Sequence, residues 1–387
     1  MVKFSSVLVL SVLLVASAFA NVPLQDRPED VSYGAPCDPI LGNWATDVVT
    51  WTQQANATAT HRRAASAYLG DYWYCFGDQS VATAHAYNMV TNQWEVSTPP
   101  LIGTCNWTGV ATNDHFYIIG RYNPGYGNEV QRFTPDAVGA GGTWAYMAPY
   151  PQLYCGVAAA WDGGDFIYAA GGGGTSSVLA YVYSISGDMW MPIASMPGLM
   201  KYCGGGFADG KFVVMGGITT PGNAVYVYDP GTDTWTTGAS MPTAAWFATF
   251  SVSNDPGMDL VYSIGGGGGY STWPAIDAVQ LYDPDTDTWT QETVLPVAYG
   301  TNASDYCYDG IGMSSGGYDG VANHAETYQG TDFPGGGPPP VWDMNVDLTY
   351  IGGSPVPAGG GNLMFGVFVE HFETVPINFE AWLDVEY

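Results

Sequence analysis

The sequence predicts an all-β protein built from a repeated unit of short strands, and three observations carry that expectation. Gly (52 residues) and Pro (26) are abundant in the 387-residue chain while only 11% of residues are charged, the composition of many tight turns. Aromatic residues reach 14%, which suits strands with bulky packing positions, and long amphipathic helical patterns are absent. A Tyr also stands seven residues before a Trp in four units: Tyr87 and Trp94, Tyr183 and Trp190, Tyr228 and Trp235, Tyr282 and Trp289. Self-similarity at such a period marks a repeat architecture.

Taken from the N-terminus, the first segment reads as a leader. Lys3 supplies a basic start, Val7 to Val15 is nearly all apolar, and Ala18-Phe19-Ala20 offers a cleavage site before Asn21. Residues 1–20 are therefore expected to be a signal peptide and 21–45 an N-terminal extension. No other segment approaches the roughly 20 apolar residues of a membrane span. The expected location is secreted or extracellular, or the cell surface or periplasm of a bacterium.

The repeat occupies residues 46–330. A fifth unit pairs Phe133 with Trp144 across a small insertion at 138–142. Upstream of each pair a strand ends in Gly: Phe76-Gly77, Ile119-Gly120, Ala170-Gly171-Gly172, Met215-Gly216-Gly217, Ile264-Gly265-Gly266 and Ser315-Gly316-Gly317. Gly suits a strand end where a side chain would strike neighbouring backbone or where φ must be positive. The string Tyr-Asp-Pro-x-Thr-Asp-Thr-Trp occurs at Tyr228–Trp235 and Tyr282–Trp289; its Asp residues are expected to cap their own turn. A calcium loop at Asp283, Asp285 and Asp287 lacks the glycine and distal Glu such a loop needs. One Trp, Trp51, precedes the first full unit, and the last unit lacks its own. The N-terminal strand with Trp51 is thus expected to complete the last unit beside the strand ending at Tyr328, leaving no open edge.

These units resemble kelch repeats: a strand, a double Gly, a strand with Tyr, an acidic turn and a Trp. Successive Trp residues lie 43 to 54 apart, near the expected period. The resemblance, to the kelch and galactose-oxidase-like propellers, implies a six-bladed β-propeller of four-stranded blades closed by an N-terminal strand. It assigns structural roles to Gly171, Gly172, Gly216, Gly217, Gly265, Gly266, Gly316, Gly317, Tyr228, Trp235, Tyr282 and Trp289. A Gly/Pro linker at 331–340 leads to a short C-terminal β segment, 341–387. That segment alternates apolar and polar residues and resembles part of an Ig-like domain ending inside a strand, as a truncated chain would.

The formal charge of −28 opposes binding to nucleic acid or anionic lipid. Export permits disulfides among Cys37, Cys75, Cys105, Cys155, Cys203 and Cys307, with Cys105 or Cys37 a partner for Cys75. Cys105, Cys155 and Cys203 read as equivalent positions of consecutive blades. In a propeller the approaches to the first strands share a face with the loops between second and third strands, and ligands usually bind there. That rim carries Arg62, Arg63, Trp107, Tyr122 (with Tyr126), Tyr154, Tyr202, Trp246, Trp273 and Tyr299. Its aromatic rings and arginines suit a glycan or an extracellular protein. No metal or cofactor site and no catalytic constellation accompanies it: five His include no Tyr-His pair, and no nucleophile, P-loop or dinucleotide motif appears. The sequence thus reads as a non-enzymatic binding or adhesion module. A carbohydrate-active enzyme of oxidase or mutarotase type and a structural cell-surface protein are the alternatives. Three Asn-x-Ser/Thr sequons stand at Asn56, Asn106 and Asn302.

Overall fold

A computed structural model describes residues 48–334 except 80, 104, 107, 174–176, 247–259, 271–272 and 309, and also two strands at 346–350 and 365–369. The leader, the N-terminal extension with Cys37, Trp107 and residues 335–340 lie outside the described residues; of the expected linker, Thr331 belongs to the last strand and Phe333 packs in the core.

The repeat forms six antiparallel blades. A short strand, β1 (Thr50–Gln53), comes first. Blade one is β2 (Ala65–Leu69), β3 (Tyr72–Phe76), β4 (Ala84–Asn88) and β5 (Gln93–Val96). Blade two is β6 (Thr108–Ala111), β7 (Phe116–Arg121), β8 (Gly127–Pro135) and β9 (Gly142–Met147). Blade three is β10 (Ala158–Trp161), β11 (Phe166–Ala170), β12 (Ala180–Ser184) and β13 (Met189–Pro192). Blade four is β14 (Gly204–Ala208), β15 (Lys211–Met215), β16 (Val225–Asp229) and β17 (Thr234–Thr237). Blade five shows β18 (Val261–Tyr270), β19 (Trp273–Asp283) and β20 (Thr288–Glu292). Blade six is β21 (Ala303–Tyr308), β22 (Ile311–Tyr318) and β23 (Asn323–Thr331), with β1 as its outer strand. Trp51 pairs with Gly330, so the chain's first described strand closes its last blade, as expected from the unpaired Trp. A separate unit holds β24 (Val346–Tyr350) and β25 (Phe365–Val369), which pair antiparallel. The third strand expected in the tail lies outside the described residues. No described helix is long and apolar enough to cross a membrane.

One hydrogen bond explains why each blade keeps a Trp. The indole N–H donates to a carbonyl in the link leaving the preceding blade: Trp94 to Ala55 (3.0 Å), Trp144 to Thr98 (2.8 Å), Trp190 to Ala148 (3.0 Å), Trp235 to Ala194 (2.6 Å) and Trp289 to Ala239 (2.8 Å). Trp51 donates likewise to Thr293 (3.0 Å), completing the ring. The Tyr partner supports this clasp through an Asp that the sequence assigns to local capping. In blade three, Asp188 Oδ1 accepts both the Tyr183 hydroxyl (2.7 Å) and the Ala148 N–H (2.7 Å) of the neighbouring blade. Asp233 does the same with Tyr228 and Ala194, and Asp287 with Tyr282 and Ala239. Asp229 and Asp283 are the residues that cap their own turns. Asp188, Asp233 and Asp287 all adopt φ of 44–52°, a left-handed conformation that Asp tolerates, and each carboxylate reaches the link from the preceding blade.

The glycine pairs are explained by contact. At the first position of the pair, a Cβ on Gly120 would strike the carbonyl of Tyr154 in blade three, and one on Gly316 would meet backbone of His61 at 2.8 Å. At the second, Gly217 faces the Lys201 carbonyl of its own blade at 2.6 Å and has φ of 93°. Asp78 and Arg121 fill the second position in blades one and two, where φ is not positive, so a side chain is accommodated.

Candidate functional site

The face where chain enters each inner strand is organised by backbone conformation. The residue two places before each described inner strand is left-handed: Arg63 (φ 61°), Asn106 (55°), Gly156 (58°), Tyr202 (50°) and Thr301 (55°). Their peptide groups link blade to blade around the channel mouth. Thr301 N–H donates to Gly267 O (2.8 Å), Arg63 to Thr301 (2.9 Å), Asn106 to Arg63 (3.0 Å) and Gly156 to Asn106 (3.2 Å).

This register corrects the reading of the cysteines. Cys105 and Cys155 lie three places before their inner strands, whereas Cys203 lies immediately before its strand, so the three are not equivalent. Cys75, Cys155, Cys203 and Cys307 are free thiols. Cys75 is therefore not joined to Cys105; it is buried with Cys307 at the junction of blades one and six.

Tyr202 is the centre of the face. Its ring lies over Gly156, where a Cβ would collide with it, and its hydroxyl stands 3.6 Å from Cys155 Sγ. Burial pushes the Cys155 thiol up to about 11 and the Tyr202 hydroxyl well above its ordinary range, so both are neutral at physiological pH. The Tyr126 hydroxyl lies close to Tyr202, while Arg63 bears on Tyr202 electrostatically. The Lys201 ammonium sits 5.1 Å from the centre of its ring.

Tyr126 and Tyr122 project from the loop between β7 and β8 and meet edge to face at 5.4 Å. Arg121 holds that loop. Its Nε and Nη2 bind the Glu129 carboxylate at 2.9 and 3.1 Å, and its Nη1 donates to Pro124 O (2.8 Å) and Gly125 O (2.9 Å). The sequence pattern gives no sign of this use of Arg121. Nor does it bring in Lys201 or two exposed leucines, Leu153 (62% exposed) and Leu199 (56% exposed), in the links entering blades three and four.

The other rim residues have partners of their own. Arg62 is buried, its guanidinium 3.7 Å from the Tyr318 ring centre and bonded to Asn323 Oδ1 (3.2 Å). Tyr299 stacks on His324 at 4.1 Å, and that imidazole lies 2.9 Å from Asp319 and 3.2 Å from Glu326. Trp246 packs on Gly222, and its carbonyl accepts the Gly267 N–H (2.6 Å). Tyr154 is half-buried, its carbonyl taken by Arg121 N–H (3.2 Å). Trp273 pairs with Tyr270 at the tip of the long β18–β19 hairpin. The structure thus gathers Arg63, Tyr122 and Tyr202 with Tyr126.

Comparison with known proteins agrees with this architecture. The Kelch motif family matches residues 200–242, which begin just before blade four and run past its outer strand. Kelch-like protein 36 of Rattus norvegicus is 29% identical over 181 residues, 44% of this chain and 28% of that protein. The Bos taurus protein of the same name is 30% identical over 165 residues, 40% of this chain and 26% of its own length. The matched region spans little more than a quarter of these curated relatives. The six blades, the recurring clasp and these matches define the chain as a kelch-repeat β-propeller.

Proposed function

We propose that this propeller is a binding module, acting outside the cell, that engages a protein partner through the blade two to four sector of its channel-mouth face. The observation that carries the reading is the cluster at Tyr202. A left-handed backbone lays the Tyr202 ring over Gly156, Tyr126 and Lys201 lie against it, Tyr122 packs on Tyr126, and the links entering blades three and four expose Leu153 and Leu199. Aromatic side chains set among apolar neighbours are the usual energetic centres of protein interfaces, and a kelch propeller is typically a protein-binding module. Export is supported by the leader at 1–20.

Capture from a secretome on immobilised propeller, wild type against Tyr126→Ala and Lys201→Glu, tests the sector. Partners lost from both variants and kept by Lys211→Gln, on the opposite face, support it. Partners held equally by all three proteins refute it. A glycan array run on the same proteins discriminates the carbohydrate reading: a glycan lost from both variants, with no protein captured, replaces the protein partner.

A further inference from the structure

Three sequons occur in the chain, and the fold separates them. Asn302 is 1% exposed, and its Nδ2 donates to both Ser304 Oγ (2.5 Å) and Ser314 Oγ (2.8 Å). Glycosylation replaces one hydrogen on that same nitrogen, so the buried network and a sugar exclude one another. Asn106 is 8% exposed, and its backbone N–H and carbonyl belong to the hydrogen-bonded ring at the channel mouth. A core oligosaccharide has no room at either position in the closed ring.

Asn56 differs on every count. It lies in the link between β1 and β2, and both Asn56 and Thr58 are exposed. The flanking backbone is fixed to blade six by Gln54 N–H to Thr327 O (2.8 Å) and Ala57 N–H to Ala325 O (2.8 Å). The side-chain Oδ1 of Asn56 accepts from Gln53 Nε2 (3.3 Å), which leaves its Nδ2 directed away from that partner.

We infer that Asn56 is an N-glycosylation site and that Asn106 and Asn302 stay unmodified when the chain passes through a secretory pathway with an oligosaccharyltransferase. The donor is an oligosaccharide linked to a lipid diphosphate. The Nδ2–H bond of Asn56 breaks, Nδ2 bonds to the anomeric carbon of the first sugar, the lipid diphosphate leaves, and the proton passes to the enzyme and solvent. The sugar then stands beside blades six and one, across the ring from the Tyr202 cluster. The inference rests on the export reading above.

The test is expression of the full chain in a eukaryotic secretory host, once with its own leader and once with a foreign leader replacing residues 1–20. Secreted product is treated with the amidase that converts glycosylated Asn to Asp in heavy-oxygen water, then mapped by mass spectrometry. The label is expected at Asn56, with the peptides holding Asn106 and Asn302 unlabelled, and one electrophoretic shift lost in both Asn56→Gln and Thr58→Ala. Secreted wild type without label at Asn56, or a shift that survives Asn56→Gln, overturns the assignment. Label at Asn56 only under the foreign leader keeps the site and refutes export by residues 1–20.

Discussion

Asp305 and His61 show how a single buried group sets behaviour at the junction of blades six and one. Asp305 is buried beside the Cys75 and Cys307 thiols, with the Trp73 indole N–H donating to it at 2.8 Å and Ser66 nearby. Burial pushes its carboxyl up to about 7, against roughly 3.9 in an unfolded chain. Between those values the folded state holds the extra proton, so the Asp305 contribution to stability falls as pH rises. His61 has the opposite sign. Its Nε2 is 3.2 Å from His85 Nδ1 and its Nδ1 is 3.3 Å from Ser315 Oγ. Burial, with His85 alongside, lowers it to about 3, against roughly 6.5 unfolded, so its contribution is lost as pH falls. From about pH 4 to 6.5 the two slopes oppose each other. Asp305→Asn removes one of them. The unfolding free energy of that variant, from urea titrations, is expected to climb from pH 4.5 to 6.5, by up to about 1.4 kcal/mol per pH unit, relative to a flatter wild type. Above pH 7 the variant is expected to be the more stable protein. Coincident stability curves for the two proteins at every pH would refute this role.

At the scale of elements, β1 is short and carries a large responsibility. Four residues hold the two ends of the ring together, and Trp51 does most of the packing. Its ring lies over Gly330, meets Phe333 edge to face at 5.6 Å, and sends its N–H to Thr293 in the link from blade five. Phe333 in turn packs with Tyr262 and Tyr306, which stack at 4.4 Å between blades five and six. Trp51→Phe deletes the hydrogen bond and keeps most of the ring, with an expected cost of about 1 kcal/mol. Trp51→Ala deletes both; because this Trp is only partly buried, its expected cost is about 2–3 kcal/mol, short of the ~3–5 of a core Trp. Trp235→Ala makes the same truncation where chain connectivity still holds the blades. Hydrogen exchange separates the two. Trp51→Ala is expected to speed exchange across β1 and β23, while Trp235→Ala affects only the junction of blades three and four. Unchanged protection of β23 in Trp51→Ala would show that β1 is not the latch.

For the whole molecule, what could be foreseen divides along a physical line. Blade number and closure were legible because each Trp makes the same inter-blade bond, so the structural requirement is written in a residue type. The channel mouth was not legible in that way. Its common feature is a positive φ shared by Arg63, Asn106, Gly156, Tyr202 and Thr301, five side chains with no common chemistry. Aligning the cysteines instead of that backbone position set Cys203 two places out of register, and the placement of the Tyr202 ring over Gly156 emerged only in three dimensions. Charge distribution crosses this divide. Among described residues, Arg62, Arg63, Arg121 and Lys201 lie on the mouth face. Turns at the opposite ends of the blades carry Asp71, Asp114, Asp162, Asp209, Asp229 and Asp285, with Lys211 paired to Asp285 at 3.4 Å. Arg62 is buried and Arg121 is paired with Glu129, so in a chain of net charge −28 the mouth face offers Arg63 and Lys201 as its described cations. If the net charge governed encounter, an acidic partner would associate faster as salt screened repulsion. If the mouth face governs it, association slows with salt instead, because local attraction is being screened over a Debye length of about 10 Å at 0.1 M. For an acidic partner captured on the Tyr202 sector, the association rate is expected to fall about tenfold between 50 and 500 mM salt. Lys201→Gln should flatten that dependence and leave the dissociation rate nearly unchanged. A rate that rises with salt would place the partner under the control of the acidic remainder of the molecule, not of this face.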